Sequence, residues 1–333
     1  MKAAVLHGVR DVRFEQINKP DIGDGEALLR VRACGICGSD LHTYREGLFL
    51  DLGTPTETGR VLGHEFAGEI EEINGEVEGL SVGHRVTTVA IGANAEYLKI
   101  TKSMASFIVP LPDHVSYVEA ATTEPLATSL HAVNLADVQD GETIVVMGAG
   151  IIGLGVLQCI KARSSARTIV VDLSDKRLAL AEDLGADEIV NARNEDVLER
   201  VLPGTDSNEN FLRGPTGTVD TVFDCVGATA NFSGTTVLEQ ALTMVRQDGK
   251  IVVVAVFERS LEIDPNIIVR KGVHLIGSWA WLPDEFLAAL DLISSAKIDR
   301  KPLISHVFSL EDAAEAYSTQ DSADTAVKVM LVP

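Results

Sequence analysis

The chain has 333 residues, of which 46% are hydrophobic and 23% charged. That length predicts about two domains, and the composition predicts a globular protein without low-complexity tracts. Acids outnumber bases, 49 to 28, for a formal charge of -21; such a surface repels phosphate backbones and argues against a nucleic-acid partner. In chain order, the opening stretch MKAAVLHGVRDVRF alternates like a strand and lacks the apolar core of a signal peptide. The longest apolar run, IVVVAVF at 251–257, is too short to cross a bilayer. The reading is a cytoplasmic protein without a membrane partner.

The first 110 or so residues read as β-rich. Short runs such as KAAVLH, EALLRVRA, FAGEIEEI, HRVTTVAI and EYLKI are separated by Gly, Pro, Asp and Asn. A helical pattern follows in EAATTEPLATSLHAVNLADV. From ETIVVMGAGIIG onward, apolar strands and helices alternate through TIVVD, DEIVN, TVDTVFDCVG, a helix spanning TTVLEQALTMVRQD, and GKIVVVAVF, with VHLIGSW as one more strand. That alternation implies a doubly wound parallel sheet covered on both faces. The tail is mixed: PDEFLAALDLISSAKI and EDAAEAYSTQ read as helices, LISHVFSL and AVKVMLVP as strands. The expected division is 1–125, 126–276 and a return of 277–333 to the first domain.

Within the alternating block, VVMGAGIIG follows a predicted strand and opens a helix. Gly148, Gly150 and Gly153 fit G-x-G-x-x-G: a tight turn, close backbone approach to a pyrophosphate, and close helix–strand packing. Ile151 and Ile152 present the helix N-terminus to the phosphates. Asp172 ends the next strand, where its carboxylate can accept the adenosine ribose hydroxyls and repel a 2′-phosphate. No Arg directly follows it, so NAD is expected rather than NADP; Arg177, on the next helix, completes the expected cofactor-binding set.

The cysteines stand at 34, 37, 159 and 225. In a long chain without a signal they are expected to be reduced or metal-bound rather than paired. Cys34 and Cys37 form a CxxC without a second CxxC or a His pair at zinc-knuckle spacing. Elsewhere GHEFAGEI carries His64 and Glu65, and ATTEPLATSLHA carries Glu124. Cys, His and carboxylate on separate segments are the ligand types of a catalytic zinc, though any one of them alone reads equally well as core packing.

Taken together, GICGSDLH, GHEFAG, EPLATSLHA and GAGIIG…VVD resemble the zinc-dependent medium-chain dehydrogenases, the superfamily of alcohol, sorbitol, threonine and butanediol dehydrogenases. The order and spacing agree over essentially the whole chain. The resemblance implies an α/β protein: a GroES-like irregular β-barrel catalytic domain plus a Rossmann domain. It implies Zn2+ and NAD as cofactors, and a secondary alcohol, diol or polyol, or the matching ketone, as substrate. It assigns Cys37 and His64 as zinc ligands, with Glu65 or Glu124 as the acid, and gives Cys34 no ligand role. Asp40 is then the acid that orients the zinc histidine, Ser39 and His42 the proton relay, Thr128 a nicotinamide contact and Lys328 a basic group near the pyrophosphate. Tyr44, Phe49, Trp279 and Trp281 are pocket candidates that read equally well as packing.

The pattern also departs from the family. The family often inserts a four-cysteine lobe between GHRV and AEYLKI; here TTVAIGANA stands in its place, so one catalytic zinc and no structural zinc are expected. His84 replaces a common Asp, and Ala255 a common Gly. A homodimer or homotetramer is implied, paired along VHLIGSW. The alternatives are a zinc-free NADPH quinone or enone reductase, which would lack the ligand set, and a non-enzymatic relative.

Overall fold

The computed structural model describes residues 1–105, 107–202, 216–229, 234–322 and 324–333. The chain opens with β1 (Lys2–Gly8), β2 (Asp11–Gln16) and β3 (Glu26–Gly35), followed by helix α1 (Gly38–Glu46). Two short strands, β4 (Thr54–Pro55) and β5 (Arg60–Val61), lead to β6 (Glu65–Asn74), β7 (Arg85–Thr88) and β8 (Tyr97–Ile100). Helix α2 (Lys102–Ala105), β9 (Val109–Pro110) and α3 (Tyr117–Ala120) precede α4 (Thr123–Ala136).

The alternating block is β10 (Thr143–Met147), α5 (Ile151–Arg163), β11 (Arg167–Asp172), α6 (Asp175–Asp183), β12 (Glu188–Asn191) and α7 (Val197–Val201). It continues with β13 (Val219–Asp224), α8 (Val237–Met244), β14 (Val245–Val253), α9 (Pro265–Lys271) and β15 (His274–Gly277). The chain closes with α10 (Pro283–Ser294), β16 (Ile304–Ser309), α11 (Ala313–Asp321) and β17 (Lys328–Val332).

Two compact units result: Met1–Pro125 with Pro283–Pro333, and Leu126–Leu282. In the first, a four-stranded sheet runs β2-β1-β5-β4, and a seven-stranded sheet runs β16-β17-β3-β6-β7-β9 with β8 also on β3. Register decides where chemistry can gather. Gly35 at the end of β3 lies opposite Glu65 at the start of β6, and Met330 and Leu331 of β17 lie opposite Gly35 and Cys34. Three distant stretches therefore meet at one strand end. Beneath it Ile36, Leu41, Tyr44, Leu62, Tyr317 and Val329 join one apolar core.

The second unit is a six-stranded parallel sheet in the order β12-β11-β10-β13-β14-β15. This is the doubly wound nucleotide-binding order, with its topological switch between β10 and β13. Val145 pairs with Ile169 on one side and Val222 on the other. All three are fully or almost fully buried, which accounts for apolar runs without alternation.

Two helical expectations are corrected. The helix expected through EAATTEPL is two helices, α3 and α4. Pro125, in the first turn of α4, has no N–H to donate and is tolerated at a helix start rather than inside one. The helix expected through TTVLEQALTMVRQD stops at Met244, and VRQD belongs to β14. There the Lys271 ammonium donates to the carbonyls of Leu242, Thr243 and Val245 at 2.7, 2.8 and 3.0 Å, closing the helix end. Among the described residues no helix is long and apolar enough to cross a membrane.

Candidate metal centre and cofactor loop

Cys37 is the N-cap of α1, and Asp40 sits at the third helical position. Asp40 Oδ2 accepts the Cys37 N–H at 3.0 Å. Its Oδ1 accepts the Gly63 N–H at 3.4 Å and lies 3.9 Å from His64 Nδ1. One buried carboxylate thus spans the cysteine segment and the histidine segment. Gly63 turns the chain into β6 at φ +90, and a Cβ there would collide with the Asn94 side chain; only glycine satisfies both constraints.

The result is a cluster in which one donor atom each of Cys37, His64 and Glu65 lies within 4.8 Å of the others. Glu65 is 1% exposed. Its Oε2 accepts from Lys328 Nζ at 2.5 Å, and that ammonium also donates to Ile36 O at 2.9 Å. Glu65 Oε1 is buried without a hydrogen-bond partner, an arrangement that costs free energy unless something else is bound there. Burial works against a charged His64, but Cys37 and then Asp40 and Glu124 outweigh it and hold the imidazole pKa well above its usual value. Burial, with Glu65 behind it, pushes the Cys37 thiol up. A thiol, an imidazole and a carboxyl group, with an orphaned oxygen among them, fit a zinc ion, whose binding would displace the thiol and imidazole protons.

Glu124 stands in the first turn of α4 and acts on His64 electrostatically, but it is not in the 4.8 Å cluster. Cys34 ends up in the apolar core near the end of β3, with burial holding its thiol well above the usual range. Ser39 and His42 lie three apart on α1, the spacing that shares a helix face. Tyr44 is packing: its ring lies 5.4 Å from that of Tyr317 in the core. Trp279 is 70% exposed.

Lys328, which the resemblance makes a basic group near the cofactor pyrophosphate, has a side chain that is 1% exposed and directed onto Glu65. Burial alone would lower its pKa, yet Glu65 and Cys37 raise it above the ordinary value. Nothing local in AVKVMLVP announces this, because the pairing spans 263 residues of sequence.

In the other unit, Gly148 turns at φ +97, and a Cβ on Gly153 would strike the Gly148 carbonyl. Gly150, the N-cap of α5, has nothing within 4 Å of where its Cβ would be. Packing therefore explains the first and third glycines, while the middle one borders open space, the place a pyrophosphate needs. Ile151 and Ile152 begin α5. Asp172 Oδ2 accepts the Ala149 N–H at 2.7 Å, and its Oδ1 accepts the Ser174 N–H at 2.8 Å. Arg177 approaches Asp172 Oδ2 at 4.0 Å. Thr128 lies on α4 and is partly buried. At the neighbouring strand end, the buried Asp224 accepts the N–H groups of Val226 and Gly227 at 3.1 and 2.9 Å. It props the loop that a Gly148 side chain would hit, a support the sequence reading missed. These residues fit a dinucleotide.

Residues 23–113 match the family model of the alcohol dehydrogenase GroES-like domain, and residues 152–295 that of the zinc-binding dehydrogenases. Sorbitol dehydrogenase of Bacillus subtilis (strain 168) is 30% identical, over 100% of this chain and 97% of its own length. (R,R)-butanediol dehydrogenase of the same organism is 31% identical over 100% of both. Among solved structures, a protein from Sinorhizobium meliloti 1021 described as a zinc-binding dehydrogenase and bound to NADP superposes with a TM-score of 0.84. It is 28% identical and covers 100% of this chain and 99% of its own.

Proposed function

Because this chain belongs to the zinc-dependent medium-chain dehydrogenase/reductase family, we propose that it oxidises a secondary hydroxyl of a diol or polyol to the carbonyl, and the reverse, with NAD as hydride acceptor. The observation that carries the reading is the buried Cys37–His64–Glu65 cluster joined through Asp40. The same chain carries a glycine loop closed by the strand-terminal Asp172.

When bound, a single zinc ion supplies Lewis acidity that lowers the pKa of the substrate hydroxyl, and the nicotinamide takes the hydride. Cys37, His64 and Glu65 would hold the ion. Asp40 fixes the imidazole, so that the histidine presents one nitrogen consistently. Lys328 holds the Glu65 side chain in place through its hydrogen bond to Oε2. Ser39 takes the proton of the substrate hydroxyl, and His42 exchanges it with solvent. Asp172 receives the adenosine ribose and excludes a 2′-phosphate. Sorbitol and butanediol, named in the relatives, indicate vicinal diols or polyols as the substrate class. The assembly proposed is a homodimer or a homotetramer built from it. The exposed edge strand β15, with Leu275 42% exposed, supports pairing there.

The test is steady-state kinetics on a panel of diols, polyols and simple alcohols with NAD and with NADP, alongside metal analysis. One zinc per chain and a clear preference for diols with NAD are expected. A metal-free active enzyme, or a preference for NADP, would overturn the corresponding part.

A further inference from the structure

The metal-ligand turn is clasped from outside by a segment that supplies no ligand. The N–H groups of Gly92 and Ala93 both donate to Gly63 O at 3.0 Å, and Asn94 N donates to Leu62 O at 3.0 Å. Three successive N–H groups therefore hold the two residues just before His64. The Asn94 side chain then turns inward. It is 0% exposed, its Nδ2 donates to the Tyr317 hydroxyl at 2.7 Å, and its Oδ1 faces Gly63 so closely that a Cβ there would collide with it. Tyr317, 1% exposed on α11, carries its ring against Tyr44 of α1, the helix that Cys37 caps. The same Gly63 donates its N–H to Asp40.

We infer that Asn94 and Tyr317 are positioning residues of the metal centre: their buried hydrogen bond locks the Gly63–His64 turn in register with the Cys37–Asp40 turn. The argument rests on the metal-centre reading and on cost. A buried amide–phenol pair adds little net stability to a fold, and an apolar pair of the same shape would do nearly as well. What the polar pair adds is direction. It fixes one arrangement of two turns whose donor atoms must converge within tenths of an ångström for a metal. Tyr317 touches one ligand segment through Tyr44 and the other through Asn94, so it can transmit the position of each to the other.

The experiment uses the full chain. Affinity is read by chelator competition with zinc ion, and ligand geometry by the electronic spectrum of the cobalt(II) form. Wild type that fails to take up zinc would overturn the metal-centre reading itself, whatever the variants do. With zinc bound by wild type, Asn94→Leu and Tyr317→Phe should each weaken it ten- to a hundredfold and shift the cobalt bands. Each should also lower the Tm of the metal-free protein, since each leaves one buried polar partner unpaired. The double variant Asn94→Leu/Tyr317→Phe removes both partners, so its metal-free Tm should recover toward wild type while zinc affinity stays low. Recovery of affinity together with Tm, or single variants with wild-type affinity and spectrum, would reduce the pair to core filling and overturn the inference.

Discussion

Asp172, proposed to receive the adenosine ribose, also holds the glycine loop. Both of its oxygens already accept backbone N–H groups, from Ala149 and from Ser174. Asp172→Ala should therefore do more than relax selectivity. Losing two charge-assisted bonds predicts a fall in kcat/KM with NAD of about ten- to a hundredfold, with NADP falling less, so that the NADP-to-NAD ratio rises. Parallel kinetics with both cofactors check this; equal losses would mean the carboxylate only props the loop. The proposed relay pair, Ser39 and His42, differs in kind. His42→Gln should slow oxidation mainly below about pH 8 and recover partly in concentrated buffer base, whereas Ser39→Ala should be slow at every pH. A pH–rate profile with and without added base separates them. Features whose geometry is local were legible in the sequence, such as the glycine loop after β10 and the acid at the end of β11, whereas helix α1, capped by Cys37, was not expected. Lys328, Asn94 and Tyr317 were not legible either, because each acts across more than two hundred residues of chain, and no local period encodes that.

Helix α8 shows how an element boundary escapes a sequence pattern. TTVLEQALTMVRQD is helical by propensity throughout, and its start is sound, with Thr236 and Glu239 forming a capping box. Its end is set by a lysine from α9 whose ammonium takes three of the carbonyls there. Lys271→Met should destabilise the fold by about 2 kcal/mol, since those carbonyls lose a charged donor; urea unfolding measures it. The pH dependence has a definite sign. Burial lowers the Lys271 pKa from 10.5 to about 8. Between these values the unfolded chain holds the proton more tightly than the folded one, so stability from this group rises with pH. The gap between wild type and Lys271→Met should widen from pH 8 to pH 10.5. A gap that narrows would show the three carbonyls holding the charge more firmly than burial opposes it.

At the scale of the whole molecule, the turns that carry Cys37, His64 and Glu65 are fixed by strand pairing that needs no metal: Gly35 against Glu65, Cys34 against Leu331. Chelation should abolish turnover while far-UV circular dichroism stays unchanged, and Tm should drop only by the linkage expected of a bound ligand. Collapse of the dichroism on chelation would instead make the ion part of the fold. The parallel sheet was readable in outline because buried parallel strands are continuous apolar runs joined by helices. The two sheets of the other unit were readable only as scattered strands, since the pairing of β17 with β3 is a long-range event that composition does not record.

That pairing also sets a timetable. Glu65 and Lys328 are 263 residues apart, so at ordinary elongation rates the ribosome makes the carboxylate on the order of ten seconds to a minute before its ammonium. During that interval Cys37, His64 and Glu65 all exist, but neither β17 nor Tyr317 does. Until β17 is made, Glu65 lacks the ammonium that lies against it in the finished structure. The last strand of the chain thus carries the positive charge that meets Glu65, and its pairing with β3 is among the last of that sheet's pairings that synthesis makes possible.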